Sequence, residues 1–279
     1  MVQTGLFEIS ERYEKLSAGG DALEKILQVV DFEVFRSKIE VALARKDGAQ
    51  GGRPAYDGVM MFKILILQAL YDLSDDAVEY QIKDRLSFMR FLGLTLSHPV
   101  PDAKTVWMYR EKLNETGACE GLFQVFNEEL RRRGYVATSG QIVDATVVSA
   151  PKQRNTKTEN ALIKEGGVPE AWRAQPSKLA QKDTDARWFV KRNKAKPDDT
   201  KANPNVDLSI PHFGYKNHVC IDRQHGFIRK YCVTPANVYD GRVFGELLDD
   251  ENDVKCIWGD TGYRSAKNET LLASHGGRL

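Results

Sequence analysis

The chain has 279 residues, 42% of them hydrophobic and 28% charged, enough apolar material for one large globular domain or two smaller ones. Its 40 Lys and Arg nearly cancel 39 Asp and Glu, so the net charge of +1 excludes a uniformly basic coat and makes any polyanion-binding surface a local one. Cys119, Cys220, Cys232 and Cys256 form no Cys-x-x-Cys pair and take no zinc spacing with the histidines, which predicts small core residues of a reducing cytoplasm.

Met1 to Ser10 has neither the basic start nor the apolar run of a signal peptide. From Asp21 to about Leu130 the periodicity is helical, with Leu23, Ile26, Leu27 and Val30 on one stripe and Phe32, Phe35, Ile39 and Leu43 on the next. Val59 to Leu70 is too short to span a bilayer and contains Lys63 and Gln68, so it reads as a buried helix capped by Asp57. Ser74-Asp75-Asp76 predicts the start of a second helix running through Ile82 and Leu86 towards Phe88. The pair resembles a helix-turn-helix, but the second helix carries Asp75, Asp76, Glu79 and Asp84 against Lys83 and Arg85, which favours packing or dimerisation over DNA contact. Asp102 or Lys104-Thr105 opens a further helix, and Cys119 to Arg133 forms the last, with its terminal arginines complementing the helix dipole.

Gly140 to Ala150 changes the texture. Ile142, Val143, Thr146, Val147 and Val148 are β-branched, the pattern of a strand buried on both faces, and Asp144 sits in its middle. A buried lone carboxylate costs several kcal/mol, so a cation or tightly held donors are expected there. The segment Val254 to Trp258 predicts a second short strand that ends in Gly259-Asp260-Thr261-Gly262, and two such carboxylates can converge on a metal. Taken alone, Asp260 is equally well read as a turn or cap residue.

Between the strands lies a basic insertion, residues 151–212, broken up by Pro and Gly. From Pro151 to Lys201 it has 13 Lys or Arg against 7 Asp or Glu, a net of +6, so the rest of the chain carries −5. Such concentration favours a polyanion such as DNA. Arg187, Trp188, Lys191, Arg192 and Lys194 interleave cations with an aromatic ring, suited to holding phosphates and stacking a base; a solvated loop pinned by Trp188 and Phe189 fits equally. Tyr215 to Asp222 and Phe227 to Val233 predict a hairpin, on which Lys216, His218 and Cys220 share a face. If that face looks towards Asp144, Lys216 and His218 meet phosphate; otherwise His218 is a satisfied structural residue. Asp240 is expected to cap a helix through Leu248, and Ser265 to Ser274 to form another.

Val143-Asp144-Ala-Thr, Asp185-Ala-Arg-Trp188, Gly214-Tyr-Lys-Asn-His218, Val233-Thr-Pro-Ala-Asn-Val-Tyr-Asp240 and Gly259-Asp260-Thr-Gly-Tyr263, with Arg53-Pro-Ala-Tyr56 before them, resemble the landmarks of the insertion-sequence-five (InsH-like) DDE transposases. The resemblance implies an α+β chain: a helical N-terminal domain over residues 1–134, for DNA binding or dimerisation, then a ribonuclease H-like mixed sheet over 135–279 carrying the basic insertion. It implies Asp144 and Asp260 as catalytic acids and ligands of Mg²⁺ or Mn²⁺, and double-stranded DNA, both inverted repeats and target, as partner. A homo-oligomer on DNA in the bacterial cytoplasm, associated with the nucleoid and not with a membrane, follows from the same resemblance.

The family's third acid is a Glu on a helix beyond one more strand, whereas only 19 residues follow Asp260 and Glu269 falls in the helix directly after it. The expectation is a C-terminally truncated transposase, lacking the last strand and the Glu helix, with impaired activity. The alternative is a non-catalytic DNA-binding remnant. An Asp-nucleophile phosphotransferase needs a second Asp two positions after Asp144, where this chain has Thr146.

Overall fold

The computed structural model describes residues 8–44, 54–135, 139–193, 208–252 and 256–274. The chain divides into two compact units, Met1–Arg133 and Gly134–Leu279, each with a hydrophobic core of its own.

The first unit is helical: α1 (Glu8–Ala18), α2 (Ala22–Val29), α3 (Arg36–Leu43), α4 (Gly58–Tyr71), α5 (Asp75–Asp84), α6 (Leu86–Leu92), α7 (Ala103–Glu115) and α8 (Ala118–Arg132). Side-chain caps start them where a short polar residue precedes an apolar run: Asp57 accepts from the Met60 N–H at 2.8 Å, Ser74 from Ala77 at 3.2 Å and Asp102 from Thr105 at 2.7 Å. Ile39, Ile64, Leu67, Val78, Ile82 and Val106 make up the solvent-free centre of the core. Gly58 permits the closest helix approach, because a Cβ there would lie 2.6 Å from the Ile39 side chain.

The helix expected from Ser74 to Phe88 is two helices. Arg85 is extended, with φ −106° and ψ 115°, and α6 restarts after it. The break turns Phe88, Met89, Phe91 and Leu92 inward together, four burials in seven residues that a continued α5 cannot present on one stripe. The acidic face of α5 is spent on internal ties: Asp75 accepts from Arg110 and from Gln68, and Glu79 accepts from the Ala103 N–H at 2.8 Å.

The second unit is built on β1 (Gln141–Ser149), followed by α9 (Lys157–Lys164), α10 (Glu170–Arg173), α11 (Pro176–Leu179), β2 (Arg187–Asn193), β3 (Leu208–Asp222), β4 (Ile228–Pro235), α12 (Phe244–Leu247), β5 (Ile257–Gly259) and α13 (Ala266–Ser274). β3 pairs antiparallel with β1, β2 and β4, and β1 pairs parallel with β5, giving a mixed sheet in an α+β chain. Val143 and Cys220 on one face pack with Phe244, Leu247, Tyr263 and Leu272. The opposite face of β1 is open: Ile142 and Val148 are exposed, and so is Asp144. This corrects the expectation of a strand buried on both sides, because among the described residues the helices that pack on β1 cover only the Val143 face.

Two further expectations change. The basic-aromatic stretch is a strand, β2, paired with the first half of β3. Gly214 is the branch point, opposite both Ser149 and Arg187; its φ of +150° and a Cβ position only 2.1 Å from the Val148 carbonyl oxygen leave room for glycine alone. Asp240 opens a 3-10 turn, Asp240–Arg242, without making a capping bond, and α12 is a single turn. Val254 and Lys255 of the expected second strand lie outside the described residues.

Candidate active site

The parallel ladder between β1 and β5 pairs Gln141 with Ile257, Ile142 with Trp258 and Val143 with Gly259. Asp144 is the next residue of β1, and Asp260 is the first residue beyond the end of β5. Neighbouring strands run about 4.8 Å apart, so the ladder brings these two positions near each other. Asp144 accepts from the Ala145 N–H at 2.7 Å and Asp260 from the Gly262 N–H at 2.8 Å. Asp260 is thus a turn-capping residue as well as a neighbour of Asp144. Both are exposed, which removes the burial cost expected for Asp144.

Hard carboxylate oxygens, one within β1 and one just past the end of the adjacent β5, fit a divalent cation such as Mg²⁺. Neither Asp has an ion-pair partner among the described residues, and among those residues no three His, Cys, Asp or Glu side chains are grouped to hold a metal. Glu269, on α13, is exposed and engaged with Arg264 at 2.8 Å.

On the covered face of the sheet lies a polar cluster. Lys216, 5% exposed, donates to Asp240 Oδ1 at 2.8 Å and to the Val238 carbonyl at 2.9 Å, and its ammonium stands 4.4 Å from the centre of the Phe189 ring. His218 is fully buried, with Nε2 2.9 Å from the Thr234 hydroxyl and Nδ1 3.4 Å from the Tyr263 hydroxyl. Burial pushes His218 below the ordinary imidazole range against the pull of Asp240, which keeps the ring neutral at pH 7. Burial, then the charges of Asp240, Asp144 and Asp260, raise the Tyr263 phenol and keep it a proton donor.

Lys216 and His218 do share a face, but it is the wrong one for meeting phosphate beside Asp144. The register sets Asp144 opposite Val219, on the other side of β3 from His218. Both side chains are enclosed and internally satisfied. Asp240 was missed as their partner; the available signal was Lys216 itself, since a lysine on a buried strand face requires a carboxylate.

The insertion folds around Trp172, fully buried, whose indole N–H donates to Glu159 at 2.8 Å; Glu159 also completes a capping box with Thr156. Arg187 spends its guanidinium on three backbone carbonyls, Thr184 at 2.6 Å, Ala186 at 3.1 Å and Ile163 at 3.0 Å. It is a structural tie. Trp188 is half exposed, packed on Phe213 at 5.3 Å and beside Lys152, and it forms one wall of a cleft of about 560 Å³ with Asn155, Asn160 and Lys164. Lys191 is exposed on β2; the Arg192 side chain and Lys194 lie outside the described residues.

Two family models match the chain: a transposase domain (DUF772) over residues 10–112 and a transposase DDE domain over residues 137–278. No solved structure matches it. The second match spans the whole described sheet with both Asp144 and Asp260, and the chain belongs to the DDE transposase family.

Proposed function

We propose that this chain is a DNA transposase of the insertion-sequence-five group, cutting at element ends and transferring the freed strand into target DNA in a metal-dependent reaction. The observation that carries the reading is the placement of Asp144 and Asp260 one residue beyond the Val143 and Gly259 pair of two parallel strands. A sheet in which a central strand runs parallel to one neighbour and antiparallel to the other, with one acid within that strand and one just past its parallel neighbour, supports a ribonuclease H-like unit.

Asp144 and Asp260 are the acids that hold Mg²⁺ or Mn²⁺. Such ions supply an attacking oxygen of lowered pKa and offset charge on the leaving oxygen. Trp188 and Lys191 offer an exposed ring and cation to DNA, with Arg192 and Lys194 further along the same basic run. The helical unit serves DNA contact or self-association, so that a homo-oligomer brings one carboxylate pair to each element end. The bacterial nucleoid is the place where such a reaction finds its DNA.

A second reading is supported by a specific observation: the described residues group no third metal ligand with the two Asp side chains. On that reading the chain occupies element ends without cutting them.

Cleavage of a labelled duplex carrying the parent element's end, with Mg²⁺ or Mn²⁺, separates the two. Cutting that falls at least about 10³-fold in Asp144→Ala, a loss of several kcal/mol of transition-state stabilisation, supports the transposase. Salt-sensitive binding with no cutting supports the second reading.

A further inference from the structure

The turn that carries Asp260 is locked to a second turn that carries another carboxylate. Asn268 on α13, 3% exposed, donates to the Gly241 carbonyl at 2.9 Å and to the Tyr263 carbonyl at 2.7 Å, so one buried amide binds Asp240–Arg242 to Thr261–Tyr263. Between the turns stands Gly262. A Cβ on it would lie 2.9 Å from Asp260 Oδ1 and 3.4 Å from Asp240 Oδ2, so both oxygens border the space that this glycine leaves open. Lys216 grips only the far oxygen of Asp240, Oδ1. Neighbouring carboxylates repel unless a cation offsets them, and the enclosed lysine, bound to Oδ1 of Asp240, offsets that charge only in part.

We propose that Asp240 is a positioning residue of the cation site: held by Lys216 and by the Asn268 tie, it keeps Oδ2 at the space at Gly262 that Asp260 also borders, and its charge strengthens cation binding there. It does so without being grouped as a third ligand, in agreement with the absence of such a group among the described residues. The proposal rests on the reading of Asp144 and Asp260 as cation ligands. Asp240 acts on the ion through charge and through the solvent the ion carries, and Gly262 is the spacing element that lets it do so.

The test is Mn²⁺ titration of the full chain, followed by electron paramagnetic resonance, without DNA. Four proteins are compared: wild type, Asp260→Ala, Asp240→Asn and Gly262→Ala. Asp240→Asn removes the charge but keeps an oxygen for Lys216. Gly262→Ala removes no charge and pushes the carboxylates apart; should the first fail to fold, the second carries the test, with melting curves of the metal-free proteins as the control. We expect Asp260→Ala to abolish binding, and Asp240→Asn and Gly262→Ala each to weaken it about 5- to 10-fold, the effect of one partly screened charge at this range. Wild-type affinity in both Asp240→Asn and Gly262→Ala, with binding lost in Asp260→Ala, overturns the positioning role alone. Equal Mn²⁺ behaviour of wild type and Asp260→Ala overturns the cation site itself and the proposal with it.

Discussion

Asp144 and Asp260 are 116 residues apart in the chain, yet each directly follows a member of the same register pair, Val143 and Gly259. The parallel ladder does the bringing together: once Val143 and Gly259 are paired, the residues that directly follow them start out as neighbours. The positions are set by the sheet, while the side chains stay in solvent. On the proposed function, their substitution is expected to cost activity and little stability.

Lys216 behaves in the opposite way. Its ammonium is enclosed, and Asp240 is its counter-charge at 2.8 Å. Lys216→Met leaves that carboxylate partly buried without its cation, and we expect a loss of about 3 kcal/mol in urea denaturation. A change below about 0.5 kcal/mol, as at an exposed phosphate contact, contradicts the enclosed pair.

Arg187 and Trp188, adjacent in sequence, separate into different jobs. Arg187→Ala removes three bonds to carbonyls of the insertion and is expected to lower the melting temperature. Trp188→Ala is expected to leave the fold intact and to weaken binding of the element-end duplex, which the exposed ring is proposed to contact. Fluorescence anisotropy and melting curves on both variants check the division; equal effects of the two on both readouts refute it.

His218 makes stability depend on pH. Its folded-state pKa lies below the ordinary value near 6.5, so the unfolded chain binds the proton more readily. Stability is complete above about pH 6.5, falls as the pH drops below it, and levels off once the pH passes the lowered folded value. His218→Gln, which retains a polar contact for Thr234 or Tyr263, flattens this part of the curve. Denaturation series from pH 8 to pH 5 on both proteins show whether the slope disappears; an unchanged slope assigns it to another group.

The elements with local chemistry were legible in the sequence. Asp57, Ser74 and Asp102 each stand before an apolar run, and each caps its helix. The strand around Asp144 was readable from its β-branched residues. What escaped depended on partners far along the chain. Which face of β1 is covered is decided by Phe244, Tyr263 and Leu272, more than 90 residues later. The strand Arg187–Asn193 was hidden by its lysines and arginines, whose charge reads as a loop until β3 offers a ladder. Asp240 looked like a helix cap because Asp before an apolar run usually is one; a buried Lys216 claimed it first.

The most direct measurement is calorimetric titration of Mn²⁺ into wild type, Asp144→Ala, Asp260→Ala and the double variant. If the two carboxylates share one cation site, either single substitution removes the high-affinity binding and the double variant is no worse than the singles. Independent, additive losses, or binding that survives both substitutions, contradict a shared site.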